Sequence, residues 1–236
     1  MKTPDKVREL ANVGLEEAYR HPQHHFDWRI RRQIYRLFTM YPLGSRVHDW
    51  LAVLTAERVL PIFSTTFPDD DLPPRLFEAA KRIAEDPITV KEIDLDVLLS
   101  EGYHGVGLDA TQWHNKIALN AEYAGFAAYK ALVEVSGNYD LLGGVGKIKR
   151  GTYPSGESVM SIGGTDTIAI WETGDTFSDE DIAHLAAYSD TASAGAMASA
   201  CAEAVFEINS QELLAFWNWW VNSALTEAWS KVTLEK

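Results

Sequence analysis

Seven histidines are the first residues to test for chemistry, because an imidazole can bind a metal or exchange a proton near neutral pH. His104 and His114 bracket Asp109 in YHGVGLDATQWH. That is the one stretch whose donors could converge on a divalent ion and activate a hydrolytic water. The same Asp109 equally suits a helix start. His21, His24 and His25 share the turn-like HPQHHFDW, where HxxH spacing has no further ligand beside it and solvation explains the histidines. His48 and Asp49 are neighbours in the chain, which sends them to different faces of a helix, so neither orients the other. His184 lies at surface-pair spacing from Glu180 and Asp181. No GxSxG, HExxH, SxxK, GxGxxG or GxxxxGK[ST] pattern occurs. Asp69, Asp70 and Asp71 resemble a metal site, yet the run lacks the alternating ligands, glycine and distal Glu of a calcium loop; helix capping explains it better. The lone Cys201 rules out an intrachain disulfide and a cysteine-built zinc or iron-sulfur site. These absences point away from an enzyme and from any cofactor.

Charge is more informative. The net charge is -13. Residues 1–150 hold 19 Lys+Arg against 21 Asp+Glu, residues 151–230 hold 12 acids and no Lys or Arg, and the last six residues add +1. A run of one sign repels phosphate backbones and attracts a basic partner, so nucleic acid is excluded as a ligand for this third of the chain. Arg29, Arg31, Arg32 and Arg36 form the opposite cluster, but their spacing wraps around a helix beside Asp27 and suits partners for nearby acids. The N-terminus MKTPDKVREL lacks the apolar middle of an export signal, and no run approaches the ~18 apolar residues that span a bilayer. A cytoplasmic protein without a membrane segment is expected.

The elements that must position these residues are mainly helical. The pattern predicts a single domain over 1–236, a bundle of about seven or eight helices with a small β-containing excursion at about 145–172. Helices are expected from Thr3–Pro4 to about Arg20 and from Trp28 to Thr39. A third follows a Ser45 cap and is kinked or closed by Pro61; a fourth follows Asp70 or Asp71. A short helix is expected from Thr89, and a long alanine-rich one from about Leu108 to Ser136, with Gly125 allowing close helix approach. Nine of the 16 glycines fall within 137–174, where KIKRGTY, ESVMSI and TIAIW alternate like short strands; the whole glycine-rich excursion is taken as 137–176. Ser178, with Asp179, Glu180 and Asp181, starts a helix expected to run to about Phe206. Asn209 or Ser210 caps a closing helix whose Trp217 and Trp220 face the core, leaving Trp219 outermost.

The run TAERVLPIFSTTFPDDDLPPRLFEAAKRIAED at 55–86 resembles the signature of the fifth immunity-protein family of bacterial polymorphic toxin systems and its close relatives. AEYAGFAAYKALVEVSG at 121–137 resembles that family's central helix, and LLAFWNWWVNSALTEAW at 213–229 its tryptophan-rich closing segment. Together they cover about a quarter of the chain in matching order. The resemblance implies a mainly α-helical protein that binds a cognate toxin domain and blocks it. By position it carries over Glu57, Pro61, Pro68, Asp69, Asp70, Pro74, Arg75, Glu78, Trp217, Trp220 and Trp229, all explicable as caps, kinks and packing. Many such toxins are nucleases with basic clefts, so the expected contact surface is acidic: Glu172, Asp175, Asp179, Glu180 and Asp181. The alternatives are a metal-dependent hydrolase built on His104, Asp109 and His114, and a helical scaffold that self-associates through exposed aromatics.

Overall fold

Pro4 precedes the first helix as its cap residue, and its carbonyl accepts from Val7 and Arg8 N–H at 3.1 Å each. The structure is a computed structural model that describes residues 2–22, 24–107, 118–137, 148–152, 158–162, 165–171, 190–201 and 208–234. Helix α1 (Asp5–Arg20) buries Val7, Ala11, Gly14, Leu15 and Ala18, the three-and-four spacing of one apolar face. In α2 (Trp28–Phe38) the Asp27 carboxylate accepts from Arg29 N–H at 2.6 Å and satisfies one orphan donor of the first turn.

Helix α3 (Gly44–Thr66) starts one residue before the expected Ser45 cap. Leu43 takes the cap position in a left-handed conformation, φ 61°. Gly44 is required there, because a Cβ on it would lie 1.7 Å from the Phe38 carbonyl oxygen. Pro61 does not close the helix. It removes a single ladder bond, and burial of Phe63 draws the following turn into the core. In helix α4 (Leu72–Glu85) Asp71 takes the cap position without a side-chain cap bond, and the residue before it, Asp70, accepts from Leu72 N–H at 2.9 Å. The helix expected from Thr89 is instead two pieces. A 3-10 segment, Pro87–Glu92, is capped by Asp86; after a break, α5 (Leu95–Gly102) is capped by Asp94. Thr89 turns its hydroxyl back onto the Arg82 and Asp86 carbonyls, which ends α4 rather than starting a helix. A π turn, Tyr103–Gly107, follows α5.

The described part of the long alanine-rich helix is α6 (Leu119–Val135). Every residue from Tyr123 to Val135 is buried, the mark of a helix surrounded by others. It packs on α3, on α4 and on α7 (Thr191–Ala200). Gly125 allows a close approach, where a Cβ would meet the Phe63 ring at 3.0 and 3.1 Å and Pro73 Cγ at 3.3 Å.

The helix expected to run through residue 190 is broken there. Asp190 is extended, φ -102° and ψ 163°, and caps α7 by accepting from Ser193 N–H at 2.8 Å. Helix α7 then ends at Ala200, and Cys201 bridges to Ile208 in place of a further turn. Asn209 caps α8 (Ser210–Trp219), accepting from Gln211 and Glu212. A π segment, Trp220–Ala224, joins α8 to α9 (Leu225–Leu234). Trp217 and Trp220 are fully buried, 2% and 0% exposed, and Phe26 contacts both rings. Trp229 stacks on Phe38 at 5.7 Å.

The chain is thus mainly α-helical. The described part of the glycine-rich excursion is an antiparallel sheet in the order β1 (Ile148–Thr152), β2 (Ser158–Ile162), β3 (Thr165–Trp171). Arg150 pairs with Met160 and Met160 with Ala169, with a register shift between Met160 and Ile162. Among the described residues no helix is long and apolar enough to cross a membrane.

Candidate functional site

A charged residue inside an otherwise apolar helix must be paired or must change its protonation state. Helix α6 carries Glu122 in its first turn and two charged residues in its buried part, Lys130 and Glu134, one turn apart on one face. Both are buried, 7% and 2% exposed. They define a polar cluster where α2, α3, α6 and the start of α7 meet.

Glu134 Oε1 accepts from the backbone N–H and the hydroxyl of Thr191, both at 2.8 Å. Its Oε2 lies 3.2 Å from His48 Nε2 on α3, and the His48 ring meets Tyr35 of α2 edge-on at 4.3 Å. Burial pushes the Glu134 carboxyl above its ordinary range, while His48 and the Thr191 donors pull the other way. One turn back, Lys130 lies over the Phe126 ring at 5.0 Å. Burial lowers its amine to about 8, against the opposing fields of Glu134 and Asp190. Asp49 is raised to about 6, chiefly by burial and further by Glu134, with His48 and Arg46 opposing.

The second half of the cluster is Arg31, 2% exposed. Its Nε donates to Asp190 Oδ2 at 2.9 Å and its Nη2 to Asp190 Oδ1 at 3.2 Å. Nη1 donates to the Phe26 carbonyl and Nη2 to Ser193 Oγ, each at 2.6 Å. The Ser193 hydroxyl donates in turn to Asp190 Oδ1. Burial would raise the Asp190 carboxyl, but the guanidinium and the Arg31 and Ser193 hydrogen bonds outweigh it and hold the group below its ordinary range. The indole of Trp217 closes the site, with the Arg31 guanidinium 5.1 Å over its ring. The arrangement can fix the start of α7 in place and store protons; the Ser193 hydroxyl is taken up by a carboxylate and a cation.

A separate open concavity lies at the turn between α3 and α4, lined by Thr66, Phe67, Pro68, Asp69, Asp70 and Asp71. Phe67 is 37% exposed at its rim. Arg75 lies beside it, held by Asp71 at 3.3 Å and by Glu101 at 3.1 Å.

Several residues singled out by type lie outside the described residues: Asp109, His114, Glu172, Asp175, Asp179, Glu180, Asp181 and His184. His104 is exposed, its ring against Tyr103. Among the described residues no group of three His, Cys, Asp or Glu side chains is placed to hold a metal ion. The carboxylate that meets His48 at 3.2 Å is Glu134, from another helix, while its chain neighbour Asp49 lies within its electrostatic field. Of the arginine cluster, Arg29 meets Asp27 at 3.9 Å, while Arg31 turns inward. Of the positions carried over from the family resemblance, Trp217, Trp220 and Trp229 are buried, Pro68, Asp69 and Asp70 line the concavity, Glu57 lies 3.8 Å from Lys81, and Glu78 is exposed. The sequence signal of the buried cluster is Lys130 and Glu134 within the otherwise apolar AAYKALVEV; its partners on other helices leave no local mark.

Compared with protein-family models and with curated proteins, the chain matches none.

Proposed function

We propose that this chain is an immunity protein, a binder that neutralises a cognate toxin domain of cationic surface, such as a nuclease, by occupying it. One observation carries the reading: residues 151–230 hold 12 acids and no Lys or Arg, while the rest of the chain is near balance. Charge of one sign gathered on one stretch steers an oppositely charged partner and speeds its encounter. The acids of the toxin-facing surface are Glu172, Asp175, Asp179, Glu180 and Asp181. Two features support it. The described helices give a scaffold whose internal charges Arg31 and Asp190 neutralise each other. The concavity at Asp69–Asp71 adds acid beside an exposed aromatic, Phe67. The reading makes the chain an inhibitor rather than a catalyst and places it in the cytoplasm with its toxin.

The test uses the protein encoded beside this chain. Co-expression is expected to rescue cells from its toxin domain, and the purified pair to bind at least about tenfold more weakly at about 0.5 M than at about 0.05 M salt. Neutralising Asp175, Asp179, Glu180 and Asp181 together is expected to weaken binding and flatten that salt dependence. No rescue and no binding would overturn the reading. Binding indifferent to salt and to the four substitutions would remove its electrostatic part.

A further inference from the structure

Glu134 offers two oxygens to three donors. The N–H and hydroxyl of Thr191 fill both lone pairs of Oε1, leaving Oε2 to face His48 Nε2 at 3.2 Å. A single proton shared along that line satisfies the pair: carboxylate with imidazolium, or carboxylic acid with neutral imidazole, puts a donor against an acceptor and adds no net charge. A second proton sets Oε2–H against Nε2–H and leaves a buried donor without an acceptor. Removing the first keeps the N–H to oxygen contact but leaves a buried carboxylate in the field of Lys130, whose own charge is lost as pH rises through about 8.

The groups around the pair sharpen this balance. From α3 come Asp49 and Arg46, from α6 itself Lys130, and from the cap of α7 Asp190, paired with Arg31 of α2. The buried side chains of α4 and α5 are apolar. Beyond α5, burial and then the Tyr103 field keep the Tyr129 phenol protonated to about 12, so it does not enter the balance near neutrality.

We propose that His48 and Glu134 form a one-proton clip on the start of α7, which holds Thr191 firmly while it carries a single shared proton and weakens on gaining a second or losing the first. The direction of the Glu134 carboxyl agrees, since burial raises it and so favours the proton on the pair. The two protonation steps belong to the pair rather than to either residue. The clip acts at one helix end, so it is read locally and does not depend on the function proposed above.

Amide hydrogen exchange of the whole chain at about pH 5, 6.5 and 8.5, corrected for the intrinsic rate, tests it. Protection over Thr191–Met197 is expected to peak near the middle value and to fall several-fold on both sides; a one-unit difference in proton affinity between closed and open forms corresponds to about tenfold. Protection of α1, which packs on α2, α8 and the π segment after it, is expected to stay level and serves as the control. Glu134→Gln keeps an oxygen for Thr191 and places an amide N–H toward His48 with no carboxyl proton to share, so the two-sided peak is expected to vanish and only a fall on the acid side, where an imidazolium N–H would oppose that amide, to remain. His48→Gln serves the same purpose should the first variant not fold. A flat or monotonic profile in the wild type, a peak shared by α1, or a peak that persists in the variants would overturn the proposal.

Discussion

Arg31 of α2 and Asp190 at the cap of α7 meet through both ends of the fork, Nε to Oδ2 at 2.9 Å and Nη2 to Oδ1 at 3.2 Å, across 159 positions of chain. Two parallel charge-assisted bonds fix orientation as well as distance. The second helix and the start of α7 are thereby joined beside the buried Trp217 ring.

Asp190→Asn strands the Arg31 guanidinium inside the core, and loss of one partner of a buried pair costs about 3–5 kcal/mol. Arg31→Lys is expected to approach that cost, because an ammonium cannot reach Asp190 twice and also hold the Phe26 carbonyl and Ser193. The pH dependence has a definite sign. The native Asp190 carboxyl sits below its ordinary range, so its stabilisation is present above the unfolded value of about 3.9 and is lost as pH falls through the native one. Urea midpoints of wild type and Asp190→Asn measured from about pH 7 downward are expected to converge in acid. Parallel curves would contradict the pairing.

The Arg31 link also shows what local reading of the chain reaches and what it misses. Alanine content and Gly125 made α6 legible as a central helix, since small side chains permit close approach whatever the tertiary order. Trp217 and Trp220 were legible as core by helical spacing. Asp190 was not legible as a cap: it is followed by the helix-permissive TASAGAMASA, and what sets the start of α7 is its carboxylate turning to Ser193 N–H and a distant guanidinium. For the same reason the chain around His48 offers only Asp49 as a partner, whereas the carboxylate it meets lies on α6. Caps and apolar faces are local quantities; ion pairs between distant helices are properties of the packed structure.

Asp49 offers a test in the opposite direction. Its carboxyl, ordinarily 3.8, rises to about 6 because burial penalises the charge. The native state therefore holds a proton that the unfolded chain releases, and stability falls as pH rises from about 4 through about 6. Asp49→Asn removes that penalty and is expected to stabilise the protein at neutral pH by at most about 3 kcal/mol, about 1.36 kcal/mol per unit. The gain is expected to vanish below about pH 4. Thermal midpoints of both proteins across this range provide the check, and a destabilised Asp49→Asn at neutral pH would show that the ionised carboxylate is the favoured form.

Close helix contacts predict a rank order for two glycines. A Cβ on Gly195 of α7 would sit 2.5 Å from Thr55 Cγ2 and 3.1 Å from the Phe216 ring, tighter than the 3.0–3.3 Å contacts at Gly125. Overpacking costs about 1–3 kcal/mol, set against a helix-propensity gain of about 1 kcal/mol for alanine over glycine. Gly195→Ala is therefore expected to destabilise clearly, and Gly125→Ala to fall near neutral or mildly below. Equal effects in chemical denaturation would mean that α7 can shift away from α3.

The tryptophans of the closing helices separate by depth. Trp220 is 0% exposed and contacts Phe26 and Tyr35, so Trp220→Ala is expected to cost about 3–5 kcal/mol, as does truncation of a large core aromatic. Trp219, one residue earlier, is only partly buried; Phe216 lies beside it and the Arg58 guanidinium 4.5 Å over its ring. Losing that cation–π contact costs about 0.5–1 kcal/mol at an exposed site, and the remaining loss is the apolar area that Phe216 covers. Circular dichroism at 222 nm through a urea titration separates the two without relying on tryptophan emission. If Trp219→Ala cost as much as Trp220→Ala, the outward face of α8 would be part of the core, and a partner could not use it as a contact surface without unfolding the end of the bundle.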